Sequence, residues 1–187
     1  MAKEILNAHF KSNNYNEKLI NGYTDNLIEK QDLLNRAYAK LGFNSDYFTE
    51  FPTVNFTGFE YGELSNQKAQ IKVFKDGMSV SDLIHSTYLL FGKRQMYIYN
   101  YVFSTDLKYR REILTEIFYR EIIAISVRGG HIGGEDNEKN KFNVSNNYMS
   151  ISFGVEKIEF PIMPDIDMNN ETIFNFRKLI RDKKFLG

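Results

Sequence analysis

The stretch "QMYIYNYVF", residues 95–103, constrains this chain more than any other. Read at period two, Tyr97, Tyr99, Tyr101 and Phe103 line one face of a strand, and Met96, Ile98 and Val102 line the other. A strand apolar on both faces has to be buried on both. The sheet that holds it therefore needs a core on one side and a cover on the other. The tyrosine face could instead serve as a stacking platform for bases or a peptide, but base stacking normally comes with a positively charged groove. Here 24 basic residues meet 24 acidic ones and the formal charge is zero. No nucleic-acid partner is expected, and the cover is expected from the helices that precede the strand.

Those helices are read from a change of period near residue 44. From Asn16 to Phe43 the apolar positions Leu19, Ile20, Tyr23, Leu27, Leu34, Ala37, Tyr38 and Leu41 follow helical spacing, and Gly42 is a stop signal. A shorter helix from Lys3 to Phe10 is expected before it. Ile20, Leu27, Leu34 and Leu41 recur every seventh residue, which raises the alternative of a homodimer through a short coiled coil. Tyr23, Lys30 and Ala37 are poor partner positions for a zipper, so packing on the chain's own domain is the expectation. After Pro52 the period becomes two. Strands are expected over Lys68–Lys75 (ending at Asp76-Gly77), Ser86–Phe91, Gln95–Phe103, Ile113–Tyr119, Glu121–Val127, Phe142–Ser145, Tyr148–Phe153 and Glu156–Phe160, with a helical turn at Ser79–Ile84. A final helix from about Asn170 to Lys184 buries Ile173, Phe176 and Ile180, with Asn169 or Asn170 as its cap. The domains follow: residues 1–44 a helical segment, residues 45–187 an antiparallel β-barrel with its C-terminal helix. The class is α+β.

The stretch that most suggests a site is "VRGGHIGGED", residues 127–136. Its glycines do not have the dinucleotide spacing, and Glu135 and Asp136 stand where a phosphate loop needs Lys and Ser or Thr. His131, Glu135 and Asp136 are competent metal ligands, which gives the alternative of a metal-dependent enzyme. A glycine-rich loop orients ligands poorly, however, so Gly129–Asn140 is read as a polar connection at a hairpin tip. His9 and His85 are read as surface or core histidines. Without cysteine there is no thiolate nucleophile or cysteine-rich zinc site. No catalytic constellation stands out, so neither an enzyme nor a cofactor is expected. Basic side chains cluster in two connections: Lys93 and Arg94 in "GKR", and Lys108, Arg110 and Arg111 after Ser104-Thr105-Asp106. These five are the candidate ligand-binding residues, for an anionic lipid headgroup.

The segments "TYLLFGKRQMYIYNYVFS", "EIFYREIIAISV", "NNYMSISFGVEKIEFPI" and "FNFRKLIRDKK" together resemble bacterial pleckstrin-homology-like domains over roughly residues 65–185. The resemblance lies in the strand with alternating tyrosines, in the step from Tyr119 to Ile122, and in the closing helix with its basic end. It implies a partly open barrel of about seven strands plugged by the C-terminal helix, used for binding and scaffolding, with no shared catalytic residues. The residues from Met1 to Ile5 begin no apolar core of signal-peptide length, and the Asn-, Lys- and Ile-rich composition fits an AT-rich bacterial genome. The expectation is a cytoplasmic, non-enzymatic interaction module with a protein partner. Headgroup binding and the His131 enzyme are the alternatives.

Overall fold

The computed structural model describes residues 17–43, 45–48, 51–64, 67–74, 79–135, 141–162 and 170–185. The expected Lys3–Phe10 helix and the Asp76-Gly77 turn lie outside them. The chain opens with helices α1 (Glu17–Gln31) and α2 (Leu33–Leu41), followed by a 3-10 turn at Ser45–Phe48. Then come β1 (Val54–Glu60), the short pairs β2 (Glu63–Leu64) with β3 (Gln67–Lys68) and β4 (Ile71–Val73) with β5 (Ser79–Ser81), then β6 (Leu83–Phe91), β7 (Gln95–Ser104) and β8 (Arg110–Phe118). A 3-10 turn at Tyr119–Glu121 leads to β9 (Ile122–Glu135), β10 (Lys141–Phe153), β11 (Glu156–Ile162) and helix α3 (Asn170–Phe185).

The architecture is α+β with antiparallel sheets. One sheet has the order β1-β6-β7-β8 and the other β11-β10-β9. They curl into a half-barrel and meet where β1 runs against β11. The approach there is close enough that a Cβ on Gly58 would lie 2.8 Å from Pro161 Cβ. The far edges, β8 and β9, have no partner strand among the described residues.

β7 shows why the sheet needs two layers. Its concave face joins Met96 and Ile98 to Leu89, Phe91, Ile117, Met149, Ile151 and Phe160, with Phe176 and Ile180 of α3 completing the cluster. Its convex face buries Tyr97, Tyr99, Tyr101 and Phe103 against Leu27, Leu33 and Ala37 of α1 and α2. The three tyrosines are at most 1% exposed, so the helices are the cover that the sequence required. Leu27 belongs to this cluster and Leu34 and Leu41 pack against it, so these three heptad positions lie on the chain's own sheet. Two contacts pin α2 further: Arg36 and Lys40 both pair with Glu112 of β8, the latter at 2.7 Å.

Several expected elements are corrected. The single helix over 16–43 is two helices, broken at Asp32 with φ 50°. Aspartate tolerates this left-handed region because its short side chain bonds locally, and Asn35 Nδ2 donates to it at 2.9 Å. Gly42, at φ 69°, ends α2 as expected. Lys68–Lys75 is not one strand; it is divided between β3 and β4. Ser79–Ile84 is not a helical turn, because Ser81 and Asp82 bond their side chains to the backbone N–H groups of Leu83 and Gln70. Such local bonds compete with a helix, and the segment joins β5 and β6. The strand β1 was not anticipated, although Val54, Phe56 and Gly58 alternate with polar residues.

The largest correction concerns Gly129–Asn140. Gly129 to Glu135 continue β9 and pair in register with Lys141 to Asn147, so β10 is one strand and not two. Glycine weakens a strand without forbidding it. Here the pairing is supported by Ile132 opposite Val144, which reach a buried cluster with Tyr61, Ile71 and Leu83. Among the described residues no helix is long and apolar enough to cross a membrane.

Candidate functional site

Antiparallel register brings residues from three strands into rows on the concave face of the first sheet. Phe91, Met96 and Ile117 form one row, Leu89, Ile98 and Thr115 the next, then Thr87, Asn100 and Ile113, and finally His85, Val102 and Arg111. The face is apolar at one end and polar at the other. Helix α3 fills the apolar end, where the Phe176 and Phe91 rings lie 5.9 Å apart.

The polar end is a pocket of about 270 Å³ lined by Glu60, His85, Asn100, Val102, Arg111, Ile113, Thr115, Ile158 and Glu159. Its floor is a hydrogen-bond network of the buried His85, Asn100 and Thr87 with the half-buried Glu60. His85 Nδ1 lies 2.7 Å from Glu60 Oε1, and its Nε2 lies 3.1 Å from Asn100 Oδ1. Asn100 Oδ1 also accepts from the Thr87 hydroxyl at 2.7 Å. On the opposite wall Glu159 takes Arg128 at 2.7 Å and Lys157 at 2.6 Å. Arg111 has no ion-pair partner among the described residues. The arrangement sets the polar floor beside a wall of Val102, Ile113 and Ile158, open to solvent on the side of Arg111 and Ile113.

Of the five basic residues proposed from sequence, only Arg111 reaches this pocket. Lys93 and Arg94 are exposed in the turn before β7. Lys108 lies beyond the other end of that ten-residue strand, roughly 30 Å away at the rise of an extended chain. It pairs with Asp106 at 3.4 Å. Arg110 pairs across from Phe103 and so belongs to the convex face, whereas Arg111 stands opposite Val102 on the concave one. The five thus form two groups that no single headgroup spans. His131 is exposed on β9 opposite Ser145. Asp136 lies outside the described residues, among which no group of three His, Asp or Glu side chains is placed to hold a metal.

His85, read from the sequence as a surface or core histidine, is buried here, and Asn100 was missed. One signal was available: Asn100 is the single polar residue between Met96 and Phe103, in a strand otherwise apolar on both faces. A buried polar group of that kind needs partners, and register supplies them from β6. Comparison with protein families, with curated proteins and with solved structures found no match to this chain.

Proposed function

We propose that the chain is a non-enzymatic binding module of pleckstrin-homology-like architecture whose partner is an extended protein segment added as a strand to the edge of β9. The architecture is supported by seven long strands in two sheets, by the contact of β1 with β11, and by α3 in the core between them. The observation that carries the partner is the bond from Arg177 Nη2 of α3 to the Ile125 carbonyl at 3.2 Å. It shows that the Ile125 backbone points off the sheet. In an antiparallel strand such groups alternate, so Val127 and Gly129 also turn their N–H and C=O outward. An edge of this kind is a template for a further strand, with main-chain bonds giving affinity. Gly129 and Gly130 leave it open to close approach by another backbone.

The test uses the intact chain. Partners captured from the source cells should be lost with Gly129→Pro, which removes an outward N–H without breaking the ladder to β10. The Val127 and Gly129 amides should exchange fast in the free protein and slowly in the complex. A partner retained by Gly129→Pro, with unchanged exchange at both amides, would show that the edge is not the docking strand.

A further inference from the structure

The pocket at the polar end of the concave face contains two carboxylates, and each is already engaged. Glu60 is held against the His85 ring, and Glu159 is shared by Arg128 and Lys157. Arg111 has no carboxylate partner among the described residues. Asn100 Oδ1 accepts from the Thr87 hydroxyl, and the same amide meets His85 Nε2 at 3.1 Å, so this side chain belongs to the floor network. Arg111, exposed at the mouth of the pocket, is thus a charged donor left open beside a hydrocarbon wall of Val102, Ile113 and Ile158.

We propose that this pocket binds a small organic monocarboxylate, its carboxylate held by Arg111 and its short hydrocarbon tail laid against Val102, Ile113 and Ile158. Three physical arguments select that class. A planar guanidinium matches a carboxylate with two parallel charge-assisted bonds. A single unmatched cation balances a single negative charge, whereas a phosphate dianion would bring excess charge beside Glu60 and Glu159. The volume of about 270 Å³ falls below the ~300 Å³ where pockets for larger ligands begin, so the tail has to be short. The site lies between the concave face of the first sheet and β11 and does not use the outward backbone of Val127 and Gly129, so it stands or falls independently of the strand-docking reading.

The test is a titration of the full chain with isovalerate and with benzoate, followed by amide chemical shifts and by thermal stability. Isoamylamine and inorganic phosphate serve as comparison probes. Both acids should give saturable shifts centred on Asn100, Val102 and Ile113 and should raise the melting temperature. Arg111→Gln should weaken them about tenfold or more, as expected for one lost charged contact. Arg110→Gln, one residue away on the convex face, should leave them unchanged. The proposal is overturned if neither acid saturates by about 10 mM, if the amine or phosphate binds as well as the acids, or if Arg111→Gln binds them like the parent.

Discussion

Tyr97 and Tyr99 show how a residue's chemistry follows from its cover. Burial under α1 and α2 disfavours the phenolate and pushes both hydroxyls up to about 12. In the unfolded chain they release their protons near ~10. The folded state is thus favoured below about pH 10 and loses that advantage as pH rises toward about 12. Denaturant midpoints should fall between pH 9.5 and 11.5, and phenolate absorbance should show a late-ionising class that disappears in urea. Gly58 is a second residue defined by its neighbour. An added Cβ would lie 2.9 Å from the Pro161 carbonyl carbon, and a backbone atom cannot swing aside. Gly58→Ala should cost about 1–3 kcal/mol in urea denaturation. Gly62→Ala, where nothing lies within 4 Å, should cost far less.

Two elements are held in place by different forces. Helix α3 is held by apolar burial: Phe176 and Ile180 are each 3% exposed, and Ile173 packs against the same cluster. Phe176→Ala should cost about 3–5 kcal/mol, whereas exposed Lys178→Ala should be nearly neutral. Deleting residues 169–187 should abolish the cooperative unfolding transition of the sheet. A deletion that melted like the parent would make α3 an appendage. Helix α2 adds charge to burial. Partial burial of Glu112 works against its ionisation, but the bonds from Lys40 and Arg36 outweigh it and hold the carboxyl below the usual range. That contribution is present above the ordinary glutamate value near ~4.3 and is lost as pH falls through the depressed one. The stability gap between the parent and Glu112→Gln should therefore narrow from pH 6 to pH 3.

At the scale of the molecule, one sheet separates two cores. The concave core joins the sheets and α3, and the convex core joins the first sheet to α1 and α2. Removing residues 1–43 strips the second core and exposes a contiguous aromatic face. Patches of that kind drive association, so sedimentation velocity should show self-association and lower solubility for the truncated chain. A monomeric, equally stable truncation would mean that the tyrosine face does not need its cover.

The sequence by itself determined the layering. A strand apolar on both faces requires two cores whatever surrounds it, and the stripe of Ile173, Phe176 and Ile180 makes α3 a core element. Gly42, the turn at "GKR" and the start of β7 were legible for the same reason: each depends on the local chain alone. Gly129 to Glu135 were not, because glycine carries almost no strand preference and it is the pairing with β10 that extends them. The pocket was legible only through Asn100. Glu60, His85, Asn100 and Arg111 come from four strands, and one step of register would turn each to the opposite face. Whether Arg111 faces solvent, a carboxylate or a cavity is decided by what the fold places across from it.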